Sequence, residues 1–313
     1  MATDTQECVV LITGASSGIG AEMARVAAAD GFDLVLTARR EENLNEVADS
    51  VEDEHGVEAN VIRKDLTDPD ALERIPDAET LVFAASSGGR GADAAREIYV
   101  DAQKQVLEQF ASRENSPDRY VYTSSTGVYG DHDGGWVDEE TPIDPTTEKT
   151  KVLAEAERVA IEDAQHHGID GTVARFSGLY GPGRYRLHRY IEGPVTEGYL
   201  NMVHQADAAG SVAFLLAADL ARGETVLVTD DEPVSKWEFA DWLAAECGVE
   251  SPPKRTKEQR LDDDGLSEAA RRRILTSKRC DNAKLRALGY EFSYPTFREG
   301  YRERIESYRN QGE

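Results

Sequence analysis

Apolar residues in this chain come in short runs that alternate with segments whose apolar positions recur at helical spacing. That alternation predicts a parallel sheet covered by helices. The run from Cys8 to Thr13 (CVVLIT) predicts a buried strand, and the Ala-rich segment after Gly20 predicts a helix stopped at Gly31. Leu34-Val35-Leu36 predicts a second strand. Leu44, Val47, Ala48 and Val51 repeat at helical spacing between Glu41 and His55, with Gly56 placed as a C-cap. A third strand is expected near Val57–Ile62. Asp68-Pro69 then predicts a helix start, a carboxylate N-cap followed by proline at the first helical position. Strands at Leu81–Ala84, Arg119–Ser124 and Gly171–Phe176 follow, separated by helices near 91–112 and 146–167.

After Phe176 the rhythm changes. Gly178-Leu179-Tyr180-Gly181-Pro182-Gly183 reads as a loop, and a basic, aromatic stretch (RYRLHRY, 184–190) follows it. A helix near 205–221 and a strand at 224–229 restore the alternation, and the remainder reads as short helices. The expected architecture is α/β, a doubly wound parallel sheet with a smaller, mostly helical C-terminal lobe. The sheet domain is expected over 1–176, with 203–229 returning to it; 177–202 and 230–313 would form the lobe.

Between the first strand and the first helix lies Thr13-Gly14-Ala15-Ser16-Ser17-Gly18-Ile19-Gly20. Gly14 permits a tight turn, Gly18 removes a side chain so that the backbone can approach a pyrophosphate, and Gly20 lets the helix pack close to the sheet. The helix N-terminus then offers N–H groups and a partial positive charge to phosphates. A glycine triplet alone is weak. In this strand–turn–helix setting, with a second strand about 20 residues on, it specifies a Rossmann dinucleotide site. Where an NAD-binding chain places a carboxylate for the ribose hydroxyls, this one has Thr37-Ala38-Arg39-Arg40. A guanidinium cannot accept from a hydroxyl, but it matches a 2′-phosphate in charge and fork geometry, which favours NADP over NAD. Asp65-Leu66, at the end of the third strand, is placed to meet the adenine edge.

Composition narrows the setting. At 313 residues the chain has material for one large domain, or a large and a small one. No apolar run approaches the ~20 residues of a membrane span. The acidic start, Met1 to Glu7, does not read as a signal peptide. The three cysteines, Cys8, Cys247 and Cys280, have no CxxC spacing, so neither a disulfide frame nor a metal is expected and a reducing cytoplasm fits. Sixty acidic against 35 basic residues leave a net charge of −25, which repels nucleic acid and anionic membranes. Only 9 of those 35 basic residues are lysines. Acidic, lysine-poor surfaces belong to proteins of salt-accumulating cells, where screening over about 3 Å at 1 M salt suppresses self-repulsion. A halophilic origin is the expectation, with an ordinary acidic enzyme as the alternative.

Further wording joins the glycine loop: Phe83-Ala84-Ala85-Ser86 after the fourth strand, Tyr122-Thr123-Ser124-Ser125-Thr126-Gly127-Val128-Tyr129-Gly130 at the fifth, and Glu139-Glu140-Thr141-Pro142 beyond. Leu179-Tyr180-Gly181-Pro182-Gly183 and Val203-His204-Gln205-Ala206-Asp207 complete the set. With these the chain resembles, over nearly its whole length, the short-chain dehydrogenase/reductase superfamily. The glycine spacing is similar to that of its shorter reductases and the rest to its extended branch of epimerases and dehydratases, in particular the atypical NAD(P)-dependent epimerase/dehydratase-like members. The resemblance implies Ala84 and Ala85 along the cofactor and Ser86 toward substrate. It implies a Ser that polarises a carbonyl, at Ser125, and a Lys that holds the ribose, at Lys151 with Glu155 after it. It also implies a tyrosine four residues before the lysine as proton carrier. That position is Thr147, and an aliphatic hydroxyl is a far weaker acid than a phenol with its pKa of ~10. Tyr129 is the nearest substitute by sequence, with a packing tyrosine as the bland alternative.

Two functions stay open on this reading: an NAD(P)-dependent enzyme acting on a small carbonyl/hydroxyl or nucleotide-sugar type of substrate, and a redox-inactive NADP-binding regulator or scaffold. Arg184 and Arg186, after the loop that in the family opens toward substrate, are candidates to grip a substrate phosphate or carboxylate. His204 and Asp207 read as a helix start rather than as metal ligands. Dimers of family members pack through helices equivalent to 91–112 and 146–167, so a homodimer is an expectation.

Overall fold

The computed structural model describes residues 9–66, 68, 72–89 and 91–310. Seven strands form the central sheet: β1 Val9–Thr13, β2 Asp33–Ala38, β3 Ala59–Arg63, β4 Thr80–Phe83, β5 Arg119–Ser125, β6 Asp170–Phe176 and β7 Glu224–Val228, in the order β7-β6-β5-β4-β1-β2-β3. The ladders β3/β2, β2/β1, β1/β4 and β4/β5 are parallel, as crossover connections require. Strand order reverses between β1 and β4, and this switch point is where open α/β sheets place ligands, beyond the carboxyl ends of the strands. Val10, Leu11 and Ile12 are at most 3% exposed, which is why β1 reads as an unbroken apolar run.

The helices that serve the site are α1 Gly18–Ala29, α2 Glu41–His55, α3 Ala92–Arg96, α4 Gln103–Ala111 and α5 Glu148–Arg158. Gly56 caps α2 in the left-handed region, at φ +71°. The helix expected from 91 to 112 is interrupted by a π turn at Glu97–Ala102, and the one expected to reach 167 by another at Val159–Asp163. Cys8, and the helix start at Asp68-Pro69 with residues 69–71, fall at or beyond the edge of the described residues.

Chain packing divides the molecule into two units. The first holds residues up to 128 with 145–175 and 208–226; the second holds 129–144, 176–207 and 227–313. The expected division therefore differs at 129–144, and the returning segment is 208–226 rather than 203–229. Residues 129–144 pack with the second unit because Trp136-Val137 pairs in parallel with Arg279-Cys280. Gly178–Tyr180, expected as loop, is a strand paired in parallel with Met202–His204. Two further two-stranded pairs, 195–196 with 254–255 and 199–200 with 234–235, give the lobe more strand than its helix-like sequence suggested. Its core gathers Tyr180, Leu187, Phe239, Leu243, Phe297 and Tyr301. No helix among the described residues is long and apolar enough to cross a membrane.

Candidate functional site: a dinucleotide cradle and the residues around it

The loop from β1 to α1 is built by backbone approaching backbone. Gly14 has φ +71°, and a Cβ there would lie 2.7 Å from the Ala84 carbonyl oxygen; one on Gly20 would lie 2.5 Å from the Gly14 carbonyl oxygen. The loop thus closes on itself and on the end of β4, where any side chain would force it open. The Gly14 and Ala15 N–H groups donate to the Thr37 carbonyl, at 2.8 and 3.3 Å, and Thr13 Oγ1 accepts from the Ala84 N–H at 3.1 Å. Ser17 stands at the N-cap of α1 without making a side-chain cap, and no acid occupies the first turn. The opening N–H groups of that helix keep their partial positive charge for a ligand, so the cradle fits a pyrophosphate. Ser16 is buried, Ile19 half-buried, and Ala84 and Ala85 line the facing loop, with Ser86 exposed beyond them.

Arg40 turns toward this loop. Its Nη2 donates to Ser17 Oγ at 2.6 Å and to Ser16 Oγ at 3.3 Å. Arg39 lies over Gly88, where a Cβ would sit 2.5 Å from Arg39 Nη2. Neither guanidinium has an acidic partner among the described residues. In a chain of net −25, two adjacent arginines without carboxylates have the charge and fork geometry to pair with an anion. Asp65 is exposed at the end of β3. Leu66 instead buries its side chain in the core with Leu11, Val35 and Leu72, so only its backbone faces outward.

Ser125 ends β5, half-buried, and its Oγ accepts from the Gly127 N–H at 3.2 Å. A Cβ on Gly127 would touch both Ser125 Oγ, at 3.5 Å, and Thr150 Cγ2, at 4.0 Å, so the strand end and the first turn of α5 meet there. Thr147 is the N-cap of α5. Its Oγ1 accepts from the Thr150 N–H at 3.2 Å while Thr150 Oγ1 accepts from the Thr147 N–H at 3.0 Å, a reciprocal capping box. The hydroxyl that replaces the phenol is thus engaged by its own helix. Lys151 pairs with Glu148 at 2.7 Å on the exposed surface of the same turn. Tyr129 is fully buried in the second unit, and its hydroxyl donates to the Asp138 carbonyl at 2.7 Å.

Beneath Ser125 lies a network that the sequence did not announce. Glu157, on the buried side of α5, accepts from Arg175 Nε at 2.9 Å and Nη2 at 2.7 Å, and from Ser124 Oγ at 2.6 Å. All three side chains are under a tenth exposed. The network ties the helix of Lys151 to the strand of Ser125 and to β6. The signal for it was weak: Arg175 lies inside an otherwise apolar strand, but Glu157 is one of several charges on an amphipathic helix.

In the second unit, Tyr180, Arg184, Arg186, Tyr190, Asn201 and Tyr301 line a cavity of about 60 Å³. Arg184 and Arg186 are exposed and have no acidic partner among the described residues. Burial pushes the Tyr301 phenol up to about 12, with Arg186 working against that shift. His204 packs between Tyr180 and Tyr294, ring centroids 5.3 and 3.9 Å away. Its burial pushes the imidazole down to about 4, so it is neutral and Nδ1 accepts from the Ala206 N–H. Asp207 accepts from the Ser293 and Tyr294 N–H groups, each at 2.8 Å, and from the Tyr290 hydroxyl. Both residues are structural here, and no metal-ligand cluster exists among the described residues.

Comparison with known proteins agrees with this geometry. The chain is 30% identical to protein YeeZ of Escherichia coli (strain K12) over 247 residues, 77% of this chain and 81% of the other. Over 78 residues it is 42% identical to a 7beta-hydroxysteroid dehydrogenase of Collinsella aerofaciens, a stretch covering 25% of this chain and 27% of that one. Its fold matches that of a UDP-glucose 4-epimerase from Thermotoga maritima, with a TM-score of 0.74 over 97% of this chain and 100% of the other at 17% identity. The sequence profile of the NAD dependent epimerase/dehydratase family matches residues 10–231. On the cradle, the sheet and these matches together, the chain belongs to the NAD dependent epimerase/dehydratase family.

Proposed function

We propose that this chain is an NADP(H)-dependent enzyme that acts on a carbonyl or hydroxyl group of an anionic small molecule, of the nucleotide-sugar type or simpler. The observation that carries the cofactor choice is Arg40 held by Ser16 and Ser17 at the mouth of the glycine loop, with Arg39 beside it and no carboxylate in the pair's place. Gly14, Ser16, Gly18, Ile19 and Gly20 would hold the pyrophosphate, Arg39 and Arg40 the 2′-phosphate, Asp65 and Leu66 the adenine edge, and Ala84 and Ala85 the central stretch. Bound there, the nicotinamide supplies a hydride donor or acceptor. Lys151 would turn from Glu148 to the ribose, and leaving an exposed ion pair costs only about 0–1 kcal/mol. Ser125 accepts from Gly127 and has no acceptor for its own proton among the described residues, so it is free to donate to a substrate oxygen. Ser86 would stand on the substrate side of the cradle; Arg184 and Arg186, within the second unit, are the candidates there for an anionic group.

The capping box at Thr147 favours one second reading, a redox-inactive NADP-responsive regulator, because it removes the usual proton carrier. NADPH oxidation with a panel of activated aldehydes and nucleotide sugars separates the two. Turnover by the wild type, lowered at least about tenfold in Ser125→Ala with NADPH affinity unchanged, is the expected result. Binding without turnover of any substrate in the panel would leave the regulator. The excess of acid suggests that the assay belongs in molar salt. Between about 0.1 and 2 M KCl the melting temperature should rise as self-repulsion is screened, and a flat profile removes the halophilic reading.

A further inference from the structure

We propose that Tyr99 is the catalytic phenol of this enzyme, donating to the substrate oxygen the proton that position 147 cannot supply. This rests on the redox reading above. The unit that carries the glycine loop, Ser125 and Lys151 holds three tyrosines, Tyr99, Tyr120 and Tyr122. Tyr120 and Tyr122 are sealed in the core, at most 1% exposed, with hydroxyls that reach no partner and that burial holds in the protonated form. Tyr99 alone of the three is half-buried.

Its position is fixed from both sides. The Tyr99 hydroxyl oxygen accepts from the Ser87 N–H at 3.3 Å, and its own hydrogen has no acceptor among the described residues. Ser87 follows the Ala84-Ala85 turn that presses on Gly14, so the phenol stands beyond the carboxyl end of β4, between the strand of the glycine loop and the strand of Ser125. The ring is carried by the π turn Glu97–Ala102, a distortion that is frequent at functional sites. Two clamps join that turn to the helix of Lys151: Arg96 grips Glu155 through both terminal nitrogens, at 3.0 and 2.5 Å, and Gln103 Nε2 donates to the Ala156 carbonyl at 3.2 Å. Gln103 Nε2 also donates to the Tyr99 carbonyl, at 2.5 Å, which locks the turn itself. In a reduction, the carbonyl carbon receives a hydride from the reduced nicotinamide, the π pair moves to oxygen, and that oxygen takes the Tyr99 proton; solvent then restores the phenol.

Tyr99→Phe removes only the hydroxyl and keeps the ring, so the fold should stand. With NADPH and para-nitrobenzaldehyde, kcat should fall by ~10²–10⁴ while NADPH affinity stays within about twofold of wild type. Thr147→Tyr added to Tyr99→Phe should restore part of the loss, which no packing role for Tyr99 would explain. An independent readout is the near-ultraviolet difference spectrum of the tyrosines on adding NADP⁺. A tyrosine perturbation seen with the wild type should be absent from Tyr99→Phe. A kcat for Tyr99→Phe within about threefold of wild type, or a tyrosine spectrum indifferent to NADP⁺, overturns the assignment and leaves the redox reading intact. A wild type that binds NADPH and reduces no carbonyl overturns the redox reading, and this role with it.

Discussion

Glu157→Ala should destabilise the protein by about 3–5 kcal/mol, the cost of removing one partner from a buried ion pair. Arg175 is 7% exposed and donates two hydrogen bonds to Glu157, and Ser124 would lose its acceptor in the same step. Chemical unfolding at fixed salt measures the loss directly, and a fall in melting temperature on the order of 10 °C should accompany it. Glu157→Gln, which keeps the shape and one acceptor, should lose less. Glu157→Ala combined with Arg175→Met should be more stable than Glu157→Ala alone, because the stranded charge is gone. A loss under about 1 kcal/mol for Glu157→Ala would mean that water already reaches this network.

Replacing Arg39 and Arg40 together with aspartate should reverse the cofactor preference. The change removes two guanidinia from the mouth of the glycine loop and puts carboxylates where they can accept from ribose hydroxyls. Charge-assisted hydrogen bonds contribute about 1.5–3 kcal/mol each, so NADPH affinity should fall by roughly 10²-fold or more. NADH affinity should hold or rise. Arg40→Asp alone should do more than Arg39→Asp alone, since Arg40 is the one already bound to Ser16 and Ser17. Parallel losses for both cofactors would show that the arginines support the loop rather than select the phosphate.

What the sequence made legible is what backbone sterics dictate. Gly14 and Gly20 could be placed from spacing alone because the close approaches they permit, to Ala84 and to Gly14, belong to the strand–turn–helix connection itself. The buried strands and the cap at Gly56 follow from equally local rules. Relations between distant side chains were not legible. Glu157 and Arg175 sit 18 residues apart on different elements, and nothing local says that they meet. Tyr99 was hidden inside a helical stretch whose periodicity gives no warning of a π turn. Leu66, read as a cofactor contact, packs its side chain in the core, so only its backbone is left to meet an adenine, and the sequence did not separate the two. The strand at Gly178–Tyr180 was masked by Gly178 and the glycines that follow it, and it forms by pairing with Met202–His204, which lies beyond the range of any local pattern.

The glycine loop and the arginine pair are proposed to form one site for a phosphorylated dinucleotide. Equilibrium titration of the wild-type protein with NADPH and with NADH, followed by nicotinamide fluorescence in molar KCl, tests this most directly. Binding of both, with NADPH tighter by about tenfold or more, is the predicted result. Equal dissociation constants, or tighter binding of NADH, would contradict it.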